Sequence, residues 1–279
     1  MRKVLTTLSV GETYTRHYTL KLIKDTLDLT PLDIYIVTDF RNIIEEEYGN
    51  NPRIFISDTS RDQFKLRIPI GPNKGADDFN FNIRYKALEF VQDLEDTLII
   101  FTDCDNSVDW WDDKIMNEFL EREINNGYTF FGPRTDLKLE NIYSKFKSNA
   151  KDFDPINSPH NMEKLTIFWH KFFNFDVVDN IPQEWLQAPL PAEYMLLFYN
   201  KDNMLKKMVD QWKYFCEYVQ NKEYGWGTWA EGFEIGISAH LAGFNPKDIS
   251  FSHHIWNKFM TPSGYKNGHK GSINYATER

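Results

Sequence analysis

The sequence predicts an α/β fold, with a Rossmann-like, mostly parallel central sheet and helices on both faces of that sheet. Two observations support this prediction. Short apolar runs alternate with segments of helical periodicity through residue 103, and such alternation is typical of parallel strands joined by crossover helices. The 279-residue chain is also 41% hydrophobic, which is sufficient for a large core and excludes an intrinsically disordered protein.

The first 103 residues contain four predicted strands and three predicted helices. Each strand is a short apolar run, whereas each helix repeats its apolar residues every three or four positions, as Ile83, Ala87 and Val91 do. Residues 58–80 contain two prolines and two glycines and are expected to form a loop. The strands are predicted at 3–8, 33–39, 53–57 and 97–103, and the helices at 15–27, 41–49 and 81–96.

The second half of the sequence is less regular. Strands are predicted at 128–133 and 192–200, and helices at 201–219 and 229–244. Between them, residues 134–190 combine polar loops with aromatic clusters. We therefore expect an irregular C-terminal region beside a regular N-terminal sheet.

Charge, cysteine content and hydropathy limit which binding partners and which cellular location are expected. A formal net charge of −9 repels polyanions, so nucleic acid would require a local basic groove. The two cysteines, Cys104 and Cys216, have no spacing that indicates a disulfide framework. The first residues lack the apolar core of a signal peptide, and no apolar stretch reaches membrane-spanning length. We therefore expect a cytoplasmic protein with no stable membrane insertion.

Two aspartates follow the fourth predicted strand in the sequence LIIFTDCDNSV. Parallel sheets bind ligands at the carboxyl ends of their strands, where Asp103 and Asp105 are predicted to lie, together with Thr6, Thr7 and Asp39. Two carboxylates on one turn are suited to a hard cation such as Mg²⁺ or Mn²⁺, which leaves positions open for substrate phosphates. The alternative is a solvated turn whose aspartates act as caps.

The order of these parts resembles the GT-A class of nucleotide-sugar-dependent glycosyltransferases. The resemblance covers about the first 110 residues: KVLTTLSVGETYTRHYTLKLIKDTL, then DIYIVTD, FNIRYKALEF and LIIFTDCD. It implies a GT-A-like fold in which residues 1–110 bind the donor and end in the Asp-x-Asp motif. Residues 111–279 would form the acceptor-binding half of the same domain, with the basic C-terminal tail closing over the donor.

The resemblance also implies a cofactor and a set of donor-binding residues. Asp103 and Asp105 would ligate Mn²⁺ or Mg²⁺ between the two phosphates of the donor, which we expect to be a UDP-sugar. Related families often use a late histidine as a further metal ligand, and His254 is our candidate among three, although the tail lacks the histidine-glycine-lysine pattern of the glycogenin-like group. The remaining donor-binding candidates are Thr6, Thr7, Tyr14, Asp39, Arg84, Lys86, Lys266 and Lys270.

Chemistry gives an independent reason to expect these cations. The leaving nucleoside diphosphate develops negative charge, which a metal and fixed cations stabilise without a proton. Arg84 lies in the first turn of the helix before the Asp-x-Asp strand, with Lys86 on the opposite margin of the apolar face. The segment 251–279 has four basic residues and one acidic residue. The alternatives are an arginine extended beside the core and a flexible basic tail.

An acceptor hydroxyl requires a base or an orienting carboxylate. Glu231 and Glu234 are three residues apart near the start of the last predicted helix, and the resemblance favours Glu231. Glu193, before the strand predicted at 192–200, is the other candidate. The alternative for Glu231 is a charge that complements the helix dipole.

Three other functions are compatible with parts of the sequence. The chain also resembles compact sugar transferases of bacteria and their viruses, which implies a bacterium or a phage-infected host and, as an alternative acceptor, DNA with hydroxymethylated bases. Aromatic residues beside the basic segment 145–151, or the C-terminal lysines, could hold an extruded base. A glycan acceptor is preferred because of the net negative charge. A non-catalytic carbohydrate-binding protein would explain the eight tryptophans but has no need of the paired aspartates. A nucleotidyltransferase is disfavoured because SVGETYT has one glycine and no lysine.

Overall fold

The computed structural model contains a central sheet with helices on both of its faces. The residues that the structure describes are 1–60, 81–106, 108, 111–133, 135–141, 183–191, 195–221 and 231–249.

Seven strands in these residues form one mixed sheet. Its strand order is β3-β2-β1-β4-β6-β5-β7. β6 is antiparallel to both of its neighbours, whereas the other described pairings are parallel. The predicted α/β class with a mostly parallel sheet is confirmed. The strands are β1 (Arg2–Ser9), β2 (Asp33–Thr38), β3 (Ile54–Asp58), β4 (Thr97–Thr102), β5 (Phe130–Gly132), β6 (Met195–Asn200) and β7 (Pro246–Asp248).

Helices cover both faces of the sheet in the described part of the chain. After β1, α1 (Glu12–Tyr14) continues through a π-helical turn (Thr15–Thr19) into α2 (Leu20–Leu29). A 3₁₀ turn (Phe81–Arg84) precedes α4, and another (Gln183–Gln187) precedes β6. None of the described helices is both long and apolar enough to cross a membrane. The remaining helices are α3 (Arg41–Tyr48), α4 (Tyr85–Glu89), α5 (Asp113–Asn125), α6 (Met204–Asn221) and α7 (Glu231–Leu241).

Two buried clusters show why β4 is continuously apolar. Successive side chains of a strand point to opposite faces of its sheet. Ile99 and Phe101 pack in one cluster with residues of α4, α6 and α7, whereas Leu98 and Ile100 pack in the other with residues of α2, α3 and α5. All six residues of β4 are buried, so this strand lies at the centre of the core and fixes the position of the chain that follows it.

The boundaries of several predicted elements differ from the structure. The helix predicted at 81–96 is a 3₁₀ turn followed by the five-residue α4, because bonds such as Val91 N–H to the Leu88 carbonyl tighten the chain and Asp96 has a φ of 50°. The strand predicted at 192–200 begins at Met195 in the structure. Neither α5 nor β7 is predicted above.

One glycine of α7 is required by close packing. A Cβ atom added to Gly236 would lie 1.8 Å from the Pro189 carbonyl oxygen, a distance at which backbone would have to move. The segment before β6 therefore passes directly against α7. This contact contributes to the buried interior, where Ile235, Ile237 and Ala239 have no exposed surface.

Candidate functional site

The strand order creates a crevice at the carboxyl ends of β1 and β4. From β1 the chain builds outward in one direction through β2 and β3, and then returns to the other side of β1 to form β4. Open α/β sheets bind ligands at such a switch point, outside the carboxyl ends of the strands. We call this side of the sheet the carboxyl edge and the opposite side the amino edge.

The turns after β1 and β2 are joined at the carboxyl edge. Gly11 has a φ of 98°, a conformation that favours glycine. Its backbone N–H donates a 2.8 Å hydrogen bond to Oδ1 of Asp39. The predicted residue Asp39 therefore lies beside the start of the first helix, and its carboxylate is held by the turn that leads into that helix.

The Asp-x-Asp motif forms a turn directly after β4. The Asn106 N–H donates to the Asp103 carbonyl over 3.2 Å, and the Asn106 side-chain amide donates to the Thr102 hydroxyl over 3.0 Å. The chain therefore leaves the strand at residue 103 instead of continuing it. The carboxylates of Asp103 and Asp105 are consequently presented from a turn at the switch point.

Arg84 lies beside this turn. Its guanidinium group forms an ion pair with Oδ1 of Asp103 and lies 4.9 Å from the centre of the Phe101 ring. Only 11% of the Arg84 side chain is exposed, so the ion pair and the cation–π contact act in a poorly solvated environment. The structure thus brings together two residues that the sequence analysis selected separately, Arg84 and Asp103.

The protonation equilibria of the motif follow from its burial. Burial raises the pKa of Asp105, and the positive charge of Arg84 offsets only part of that effect. Burial, followed by the charges of Asp105 and Asp103, raises the pKa of the Cys104 thiol above its ordinary range. Cys104 is therefore a neutral thiol, and it is unsuited to the thiolate chemistry of a nucleophile or a metal ligand.

The carboxylates of Asp103 and Asp105 are the right chemical type for a divalent cation. Hard cations such as Mg²⁺ and Mn²⁺ prefer oxygen ligands. Asp105 is half-buried, and the positive charge of Arg84 does not fully compensate the cost of ionising it. Across the described residues, no group of three or more histidine, cysteine, aspartate or glutamate side chains could hold a metal ion. These two residues would therefore need further ligands from a substrate or from elsewhere in the chain.

Several predicted donor-binding residues have clear roles in the fold. Thr6 and Thr7 have no exposed surface, and their hydroxyls donate to the backbone carbonyls of Ala87 and Thr102 over 2.7 and 2.8 Å. Lys86 lies 3.9 Å from a carboxylate oxygen of Glu89 and 5.8 Å from the Tyr85 ring. Thr6 and Thr7 thus tie β1 to α4 and β4.

Tyr14 lies in α1, directly after the glycine turn that contacts Asp39. Its ring is tilted against that of Tyr18 one helical turn later, with 5.3 Å between the ring centroids. Both side chains are partly buried. Tyr14 lies three residues after Gly11 in the chain, and its role in donor binding stays a prediction.

The predicted acceptor residues are only partly described. Glu231 is the first residue of α7, and its side chain is outside what the structure describes, as are Glu193, His254, Lys266 and Lys270 entirely. Glu234 is fully buried: its Oε2 accepts a hydrogen bond from the Trp212 indole over 3.1 Å and lies 4.0 Å from the Cys216 sulfur. Glu234 is thus a core residue between α6 and α7.

Three buried hydroxyl residues near the motif are absent from the sequence predictions. Ser9, Thr15 and Thr19 have no exposed surface and are hydrogen-bonded to one another at the end of β1. The four-residue spacing of the two threonines on an otherwise apolar helix face is the only signal in the sequence.

No protein-family model matches the chain, and no curated protein matches its sequence. The fold and the contacts at the carboxyl edge are therefore the observations from which a function can be argued. They define a class of site: a carboxylate pair with an adjacent, poorly solvated arginine at the switch point of an α/β sheet.

Proposed function

We propose that this protein is a metal-dependent glycosyltransferase of the GT-A type, which moves a sugar from a nucleotide-sugar donor to the hydroxyl group of an acceptor. The observation that carries the proposal is the turn Asp103-Cys104-Asp105 at the end of β4, with Arg84 paired to Asp103. Carboxylates alone would repel a diphosphate. A carboxylate pair beside a fixed cation, at the ligand-binding edge of the sheet, is suited to a metal–diphosphate complex.

The charges of the site match the chemistry of the leaving group. Asp103 and Asp105 would hold Mn²⁺ or Mg²⁺, which when bound stabilises the negative charge that develops on the departing diphosphate. Arg84 supplies a second positive charge from the side of α4. Because its side chain is only 11% exposed, this charge is weakly screened by solvent and acts over the short distance to the crevice.

Residues in the turns after β1 and β2 are suited to binding the nucleoside of the donor. Asp39 accepts a hydrogen bond from the Gly11 N–H, which holds a carboxylate acceptor at the carboxyl edge, and Tyr14 follows Gly11 by three residues in the chain. A carboxylate there is suited to ribose hydroxyls or to the N–H of a base, and an aromatic ring is suited to stacking. We expect a UDP-sugar as the donor.

The direction of α7 supports a role for Glu231 in binding or activating the acceptor. α7 ends at Leu241 and β7 begins at Pro246, and β7 runs in the same direction as β5 and hence as β4. A helix that leads directly into a strand has its C-terminus near the amino edge, so the start of α7 is directed toward the carboxyl edge. Glu231 is our candidate for the base that takes the acceptor proton, and Glu193 is the alternative.

A release assay for the nucleoside diphosphate tests the proposal. Purified protein is incubated with Mn²⁺, a panel of nucleotide sugars, and acceptors that include glycans and hydroxymethylated DNA. We expect Asp105→Ala to abolish turnover without unfolding the protein, as judged by thermal melting. Asp33→Ala is the matched control, because Asp33 lies at the start of β2 on the amino edge and pairs with Arg2 over 3.3 Å.

Two results would contradict the proposal. One is turnover of Asp105→Ala within about tenfold of the parent, a loss of only ~1.4 kcal/mol in transition-state stabilisation. The other is nucleotide binding that is identical with and without divalent metal in an isothermal titration, which would instead favour a non-catalytic binding protein.

A further inference from the structure

The backbone of Arg84 is anchored in the core, while its charged group lies at the Asp-x-Asp turn. Ile83 and Tyr85, on either side of it in the chain, are buried in the same cluster as Phe101. The guanidinium group lies 4.9 Å from the centre of the Phe101 ring, and this aromatic surface favours a cation. Arg84 therefore brings a positive charge to the turn from a fixed position in the fold.

Arg84 and a divalent cation would use the same carboxylate. The guanidinium group forms an ion pair with Oδ1 of Asp103, so a cation that binds Asp103 has to displace it or lie close to a second positive charge. The exposed fractions of the Arg84 and Asp103 side chains are 11% and 34%, and water therefore screens the repulsion only in part. The ion pair thus opposes the binding of a free cation.

A diphosphate changes this balance because it offers Arg84 a new partner. Guanidinium groups bind phosphate oxygens as well as carboxylate oxygens, often through two parallel hydrogen bonds. When a diphosphate arrives together with the cation, Arg84 can exchange Asp103 for a phosphate group, and neither positive charge is left without a counter-charge. The cost of breaking the ion pair is therefore offset only when both parts of the ligand bind together.

We propose that Arg84 makes the site selective for a metal–diphosphate complex over a free divalent cation. In the structure, Arg84 pairs with Asp103; with the complex bound, Arg84 pairs with the diphosphate and leaves Asp103 to the cation. Selectivity of this kind arises from an element that acts against the wrong ligand as well as for the right one. The inference rests on the proposed function, since it concerns the same metal and the same donor.

The inference gives one substitution opposite effects on two ligands. Arg84→Met removes the competing charge, so Mn²⁺ alone should bind more tightly. The same variant lacks the partner of the diphosphate, so a diphosphate should bind less tightly in the presence of Mn²⁺. A residue that only stabilises the fold would weaken both kinds of binding when replaced, and a residue that only contacts the diphosphate would leave the binding of free Mn²⁺ unchanged.

The first test measures the binding of Mn²⁺ alone from the electron paramagnetic resonance signal of the free ion. Arg84→Met is compared with Arg84→Lys, which keeps the charge, and with Arg84→Gln, a second neutral variant that decides the test if Arg84→Met does not fold. Arg41→Met is the matched control. Arg41 follows β2 at the same edge of the sheet, and its described contacts are with Asp58, Glu45 and the Ile56 carbonyl.

We expect Arg84→Met to bind Mn²⁺ about tenfold more tightly than the parent, or better, because an adjacent cation changes the affinity of a carboxylate for a proton on that scale. Arg84→Lys should stay close to the parent. Arg41→Met loses the same charge but should stay within about twofold of the parent, since solvent and salt screen a charge that does not contact the motif. The inference is overturned if Arg84→Met gains no affinity for Mn²⁺, or if Arg41→Met gains as much.

The second test measures how strongly the two ligands assist each other. Calorimetric titrations are made with UDP and with inorganic pyrophosphate, which carries a diphosphate without a base, in the presence and absence of Mn²⁺. By linkage, each ligand raises the affinity for the other by the same factor, typically about 5–150-fold. We expect this factor to be smaller in Arg84→Met than in the parent, and an unchanged factor would overturn the inference.

The two tests separate the inference from the proposed function. If UDP and pyrophosphate bind the parent equally well with and without divalent metal, the proposed function fails. In that case the binding of Mn²⁺ alone still decides whether Arg84 competes for Asp103: a gain confined to the neutral variants of Arg84 supports the competition, and unchanged binding overturns it.

Discussion

Two arginines at opposite edges of the sheet have different partners. Arg53, at the amino edge before β3, donates hydrogen bonds of 2.6–3.2 Å to the backbone carbonyls of Leu27, Thr30 and Leu32. Arg84, at the carboxyl edge, is paired with the carboxylate of Asp103 and lies over the Phe101 ring. The first arginine therefore closes the end of α2 and the turn into β2, whereas the second balances ionised side chains.

The two kinds of partner indicate different roles for the two arginines. Backbone carbonyls are fixed by the chain, so a guanidinium group that satisfies them contributes to stability and has no freedom to change partner. A side-chain carboxylate can exchange its counter-charge for a metal or a ligand. We therefore expect substitutions at the amino edge to affect folding and substitutions at the carboxyl edge to affect ligand binding and turnover.

The largest expected effect concerns Glu231, at the start of α7. Because general-base catalysis contributes about 10²–10⁴-fold, Glu231→Gln should slow transfer within that range, and donor affinity with Mn²⁺ present should change little. Glu234→Gln is the control. Its glutamine oxygen can still accept the bond from Trp212, so we expect it to affect melting temperature more than turnover.

The outcome would also identify the acceptor residue. Near-normal transfer by Glu231→Gln would exclude Glu231 as the base. If neither variant slows transfer, then Glu193 becomes the candidate base, and the start of α7 has no role at the carboxyl edge.

The second prediction compares the two arginines directly. Arg53→Met should lower the free energy of unfolding by about 2 kcal/mol, because it leaves several carbonyls without their charged donor, and it should not change binding of UDP with Mn²⁺. Arg84→Met should instead weaken that binding by about 10–100-fold. Denaturant titration and calorimetry measure the two quantities.

The contrast between the edges would be broken if Arg53→Met weakened UDP binding, or if Arg84→Met left UDP binding unchanged. Arg53→Lys is a useful intermediate variant. Lysine keeps the charge but lacks the planar group that reaches three carbonyls, so it should recover only part of the stability that Arg53→Met loses.

The smallest expected effect concerns a carboxylate that belongs to the fold. Burial alone would raise the pKa of Glu123, but its contacts with Arg122 at 2.8 Å and Lys247 at 3.5 Å lower the pKa overall. A lowered pKa in the folded state means that the ionised form contributes stability above the unfolded pKa, and that this stability is lost as pH falls through the folded pKa. Glu123→Gln should therefore destabilise the protein by about 1 kcal/mol at pH 7 and by progressively less in acid.

Asp105 provides the opposite case at the carboxyl edge. Its pKa is raised by burial, so its ionised form weakens the metal-free fold at neutral pH. Asp105→Asn should keep or increase the melting temperature at pH 7 while it removes activity. Opposite signs for Glu123→Gln and Asp105→Asn in thermal melts would sharpen the distinction between carboxylates of the fold and of the site, and equal losses would remove it.

The sequence by itself determined the α/β class and the strands next to the site. β1, β2 and β4 are buried on both faces of the sheet, and such strands are continuous apolar runs that are visible without any tertiary information. For the same reason, the position of Asp103 and Asp105 after a buried strand followed from the sequence. α5 also had a signal, since Met116, Phe119 and Leu120 recur at helical spacing, although it is not among the predicted elements.

Only the tertiary structure decided which of these residues meet. The antiparallel pairing of β6 with β4 and the ion pair between Arg84 and Asp103 join residues that are distant in sequence. The structure likewise determined that Glu234 is buried against Trp212 and that Thr6 and Thr7 bond to backbone. Periodicity specifies the face of a strand or helix on which a side chain lies, whereas its partner depends on strand order and on the packing of elements from separate parts of the chain.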